Sequence, residues 1–211
     1  MVAAIAALIV WLGTFGPGGA PAQAALLNLT TQPPDIMSSF VNVIYSASTR
    51  RFEASGYALT FDPYGLPESV RVISGGIFSI DLYLTSAGIP TSGALSIGGT
   101  VAALGATTGT LLTGSILQFG FQDPPGDEIF EFLFNVTGGD LARYCGGQAV
   151  VILDAVDSGF RGTFGADFAN TGLGDSDTSS SPVPEPSSGM VMLSLLGCGL
   201  ATRGLRRRRS R

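Results

Sequence analysis

The chain contains no histidine, which removes most of the common ways a protein does chemistry. Ser-His-Asp and Cys-His nucleophilic centres need an imidazole to take the proton, and the usual zinc and iron sites use its ring nitrogens. The two cysteines are Cys145 and Cys198. Cys145 has only Arg143 as a local cation, so it reads as a small buried apolar residue and not as a reactive thiol. Carboxylates remain. Glycoside hydrolysis needs only two acids at a set separation, and Asp127, Glu128, Glu131, Asp154 and Asp157 are the candidates. Their spacing does not bring any two together, so no catalytic residue is assigned and the chain is read as non-enzymatic.

Calcium is the cation that the oxygen donors would suit. It takes six to eight oxygens, which β-sandwich loops often supply. Donors cluster at Asp123, Asp127 and Glu128, and again at Asp167, Asn170, Asp175 and Asp177. Neither run matches an EF-hand or a repeated calcium motif, so both are read as solvated turn and stalk residues and no cofactor is assigned.

The elements that must carry these residues are β-strands. Glycine is abundant, at 30 residues, and charged residues make up only 13%, against about 25% in ordinary domains. The strongest strand runs from Ile77 to Thr85. Phe78, Ile80, Leu82 and Leu84 alternate there with Ser79, Asp81 and Tyr83. Ile129 to Val136 repeats the pattern, with Phe130, Phe132, Phe134 and Val136 on one face. Weaker strands are expected at 40–46, 51–61, 93–97, 115–121, 149–154 and 159–164, with turns at 62–65, 74–76, 123–127 and 137–140. Asp140 to Arg143 reads as one helical turn. Eight short strands without a long amphipathic helix predict an all-β ectodomain, an antiparallel β-sandwich or jelly roll over residues 25–170. From Thr171 to Ser181 the composition turns to Gly, Asp, Ser and Thr, the signature of a flexible linker.

Both ends of the chain differ from this domain. Val2 to Leu12 is apolar, Gly16-Pro17-Gly18-Gly19 breaks it, and Ala22-Gln23-Ala24 supplies a small-x-small cleavage pattern. Residues 1–24 therefore read as a helical secretory signal peptide with Ala25 as the first mature residue, although the n-region lacks Lys and Arg. At the other end, Val183-Pro184-Glu185-Pro186 holds Glu185 extended between two prolines. A short apolar segment follows, at about 187–205. Gly189 to Thr202 is uncharged and gives roughly 21 Å of helix, a short single span for a core of about 30 Å. Arg203, Arg206, Arg207, Arg208, Arg209 and Arg211 then form a cationic stop that keeps this end cytoplasmic.

All 11 basic residues are arginines and six lie in that stop, leaving five against about 15 acids in the exported region. An acidic surface of this kind excludes nucleic acid as a partner, because binding it depends on clustered cations.

Over residues 182–211 the motif, span and arginine cluster together resemble the PEP-CTERM sorting signal of Gram-negative bacteria. The resemblance implies recognition by exosortase at the inner membrane after export by the general secretion machinery. It also implies processing near the motif and delivery to the cell surface or extracellular matrix, with biofilm or exopolysaccharide as the setting. The alternative reading is a carbohydrate-binding β-sandwich module with Tyr57, Tyr64 and Tyr83 as an aromatic platform. The one tryptophan, Trp11, lies in the signal segment.

Overall fold

The computed structural model describes residues 25–102, 107–123, 127–170 and 174–180. The segments expected to be a signal peptide, a sorting motif, a membrane span and a cationic stop lie outside the described residues. No helix among the described residues is long and apolar enough to cross a membrane.

The fold is all-β and antiparallel. Its strands are β1 (Asp35–Ser46), β2 (Arg51–Asp62), β3 (Arg71–Val72), β4 (Ser74–Leu84), β5 (Pro90–Val101), β6 (Thr107–Gln122), β7 (Asp127–Gly138), β8 (Gln148–Val156), β9 (Phe168–Ala169) and β10 (Gly174–Ser180). Hydrogen bonding follows the circuit β1-β2-β4-β5-β6-β7-β8-β10 and returns to β1, an eight-stranded barrel. This corrects the expectation of a sandwich. Alternation shows which face of each strand is buried, and both architectures bury one face of every strand. The choice between them depends on whether the two edge strands find a common partner, and β10 is that partner.

The barrel interior is aromatic. Phe78, Ile80, Leu82 and Leu84 of β4 and Phe130, Phe132 and Phe134 of β7 are buried, as their alternation predicts. Phe52 of β2 meets Phe119, Phe130 and Phe132 at ring-centroid distances of 5.9, 5.2 and 5.8 Å. Eight strands leave an interior about wide enough for side chains to fill, and these rings fill it.

Each end has a cover. The one-turn helix α1 (Ala142–Cys145) sits at one end, where Tyr144 packs edge-on against Phe61 at 5.3 Å. Cys145 is buried there, and burial pushes its thiol up to about 11. At the other end, residues 157–167 form a loop and not the strand expected at Gly159 to Phe164. Phe160 and Phe164 turn inward from this loop onto Phe121 at 5.3 and 5.1 Å. Phe160 and Phe164 mimicked a strand because both are buried, but φ is positive at Gly159 and Gly162 and the segment makes no ladder.

A second correction concerns residues 171–181, expected to be a linker. Residues 174–180 are strand β10, so the barrel ends at Ser180 and not near 170. The sequence Gly-Asp-Ser-Asp-Thr-Ser-Ser contains no apolar side chain, yet its burial alternates, with Gly174, Ser176 and Thr178 buried. Size and hydroxyl content carry the inward face, and hydropathy does not register that pattern. At Gly174 an added Cβ would stand 2.8 Å from the Val41 carbonyl oxygen and 3.0 Å from that of Asp154, so the backbone wedges between β1 and β8.

Phe130 is fully buried and touches Phe52, Phe119, Phe160 and Phe168. Phe130→Ala should therefore cost about 3–5 kcal/mol, whereas Leu117→Ala on the outer face should stay within about 0.5 kcal/mol. Urea unfolding of the two variants checks both values.

Candidate functional site: an acidic groove where the barrel closes

The groove lies on the outer face of β10 and its two neighbours. Its volume is about 500 Å³, and Asp35, Met37 and Ser39 of β1, Asp175 and Asp177 of β10, and Ile152 and Asp154 of β8 line it, with Leu59 of β2 at its edge. Strand register explains the crowding of carboxylates. Asp175 stands opposite Asp154, Asp177 lies between Met37 and Ile152, and Asp35 stands opposite Asp62 of β2. Like charges directly opposite on paired strands destabilise the pairing.

Among the described residues no basic side chain lines the groove. Elsewhere on the outer face, Arg51 reaches Asp81 at 2.7 Å and Glu53 at 3.1 Å. Polar neighbours relieve part of the repulsion. The Ser39 hydroxyl donates to Asp175 Oδ1. The Ser69 hydroxyl and the backbone N–H groups of Tyr64 and Gly65 donate to Asp62 and hold its carboxyl below the usual range. Asp35 and Asp177 are less well served, since each keeps a buried Oδ1 without a partner. Burial, followed by Asp177 and Asp62, pushes the Asp35 carboxyl up to about 6. Burial also raises Asp177, against a lowering hydrogen bond from Thr31.

The acids singled out in the sequence are dispersed. Asp167 Oδ1 accepts from the Ala47 N–H at 2.6 Å, and Asn170 Oδ1 accepts from the Val43 N–H at 2.6 Å. Both tie the returning chain to β1. Glu128 is buried and its Oε2 accepts from the Ser158 N–H at 3.3 Å, while Asp123 is exposed at the end of β6. Asp175 and Asp177 of the second proposed calcium group stand on β10, whereas Asp167 and Asn170 bond to the backbone of Ala47 and Val43. No group of three or more carboxylate or thiol side chains among the described residues is placed to hold a metal ion.

The glycosidase-type candidates divide between faces, although Glu131 and Asp154 are diagonal neighbours on the outer face of the β7–β8 ladder. Glu128 and Glu131 fall on opposite faces of β7, Asp157 is exposed beyond β8, and of these five acids only Asp154 lines the groove. Asp35 was missed in the sequence because its partners come from a segment without a strand signature.

The expected tyrosine platform is also dispersed. Tyr57 is 60% exposed near Ile77, whereas Tyr83 pairs with Arg51 at the far end of β4. The strand rise separates the two rings by about 20 Å. Tyr64 is exposed in the turn after β2. Tyr57 stands beside a shallow recess of about 410 Å³, formed with Leu59, Ile73, Gly75, Gly76 and Ile77, and Leu59 is shared with the acidic groove.

No family model, curated protein or solved structure matches the chain. Its function must therefore be argued from the residues.

The pH dependence has a definite sign. A carboxyl raised to about 6 in the folded chain retains a proton that the unfolded chain releases near 3.8. Stability is then highest below the lower value and is lost as pH rises toward about 6. Asp35→Asn should flatten that slope and raise the urea midpoint at neutral pH. A midpoint lowered at every pH would show that the Asp35 charge is compensated.

Proposed function

We propose that the chain is an exported, non-enzymatic surface or matrix protein whose barrel is delivered by its C-terminal tail. The observation that carries this is the order of parts in the last residues: Val183-Pro184-Glu185-Pro186, an uncharged span, then the arginine stop. On this reading the general secretion machinery exports the chain and the tail holds it briefly in the inner membrane. Exosortase then acts at the motif, and the barrel passes to the cell surface or the extracellular polysaccharide of a Gram-negative bacterium.

The short connection between barrel and motif sharpens the proposal. Ser180 closes β10, and Pro184 follows four residues later, a distance of at most about 14 Å. Only Ser181 to Val183 separate β10 from Pro184 in sequence. On this reading the barrel stands on the exported side of the membrane. An acidic barrel suits this position, because the negative charge that repels nucleic acid also keeps an exported domain soluble.

Replacing Pro184, Glu185 and Pro186 together with alanine should hold full-length chain in the inner-membrane fraction. Release of that variant as efficiently as wild type would overturn the sorting reading.

A second reading, carbohydrate binding, draws on Tyr57. An exposed aromatic ring beside a recess floored by Gly75 and Gly76 offers a sugar ring a stacking face, and the adjacent groove offers hydroxyl acceptors. The protein should be retained on at least one insoluble neutral polysaccharide, and Tyr57→Ala should lose that retention while Tyr83→Ala keeps it. Absence of retention, or equal retention by all three proteins, would remove this reading.

A further inference from the structure

Before β1 the chain runs as an irregular strap across the outside of the barrel. At Gly120 of β6 an added Cβ would stand 2.7 Å from the Ala25 carbonyl oxygen and 2.9 Å from the Leu27 nitrogen, so the strap lies directly on the sheet there. Further on, the Leu29 N–H donates to Glu131 Oε1 at 3.3 Å, and Thr31 bonds to Asp177. The strap thus crosses from β6 to β7 and reaches β10.

Glu131 occupies an outward-facing position but is only 4% exposed, because the strap covers it. One of its oxygens holds Leu29. The other, Oε2, is buried with no hydrogen-bond partner among the described residues. An unpaired buried carboxylate oxygen is costly, and neither ion pair of the described residues involves Glu131. Gly120 and Glu131 are cross-strand partners, with Cα atoms about 5 Å apart. Ala25, which lies on Gly120, is therefore within reach of the Glu131 side chain.

We propose that cleavage between Ala24 and Ala25 supplies the missing partner, so that removal of the signal segment locks the strap onto the barrel. The inference rests on the signal-peptide reading. Hydrolysis consumes one water and breaks the Ala24–Ala25 C–N bond. Ala24 leaves as a carboxylate, and the Ala25 nitrogen, on taking a proton, remains as an ammonium. Before cleavage that nitrogen is a neutral amide. After cleavage it is the cation closest along the strap to Glu131, and a charge-assisted bond to Oε2 completes the carboxylate's partners. The uncleaved chain keeps the orphaned oxygen, so the barrel reaches its full stability only after processing.

Two measurements separate the lock from the cleavage reading. Mass spectrometry of exported protein reads the mature N-terminus. A start at Ala25 supports the cleavage reading, and any other start overturns it together with its coupling to the lock. The lock itself is tested on the chain from Ala25 to Arg211 in mild detergent, with the Ala25 amine free or acetylated, in wild type and in Glu131→Gln. Acetylation should lower the wild-type Tm by about 5 °C or more and have little effect in Glu131→Gln, as a double-mutant cycle requires. Equal loss in both backgrounds, or none in wild type, would overturn the lock.

If Glu131→Gln fails to fold, the amine's own titration decides. Pairing should raise it above the ordinary range of about 7.7–8.0. The stabilisation should then be complete below about pH 8 and lost as pH rises through the raised value. An amine titrating at its ordinary value would contradict the lock.

Discussion

Every backbone N–H and C=O along a buried strand edge needs a partner, because an unpaired one costs about as much as a lost hydrogen bond. In this protein β1 and β8 each present such an edge, and β10 satisfies both, pairing with β1 from Asp35 to Val41 and with β8 from Ala149 to Ala155. Without it the sheet would have two open edges and the phenylalanine interior would be exposed along one side. Open edges of that kind invite pairing with other chains. The barrel's architecture therefore depends on seven residues, none of them apolar.

Closure by such a strand has electrostatic consequences. Since β10 turns glycine and hydroxyl residues inward, its two aspartates face outward, where they meet Asp154 and Asp35. The same register that pairs the backbone stacks like charges, and Thr31 and Ser39 bond to them in part. Ser176 and Thr178 also keep buried hydroxyl oxygens without partners. The closing strand is thus held by its backbone and opposed by its side chains. This weaker seam adjoins the strap that carries Thr31.

Much of the barrel was legible in the sequence. Phe78 to Leu84 and Phe130 to Phe134 alternate cleanly with polar residues, and both segments are strands with those side chains buried. Two segments were misread because apolar side chains can be buried without strand pairing and small hydroxyl side chains can be buried within it. Phe160 and Phe164 are buried from a loop, whereas Ser176 and Thr178 are buried in a strand. The acidic groove was illegible because Asp35, Asp154 and Asp177 meet only through the register of β10. Glu131 stood among the candidate acids, but its burial under residues 25–29 depends on a contact about a hundred residues away in sequence.

Hydrogen–deuterium exchange of the full-length chain, read at the amides of β10, tests barrel closure most directly. Asp175 to Ser179 should be protected to a degree comparable with Val150 to Leu153 of β8, since both sets of amides belong to one closed sheet. Exchange there at the rate of an unstructured chain, with β8 still protected, would mean that 174–180 is a linker and that the barrel does not close.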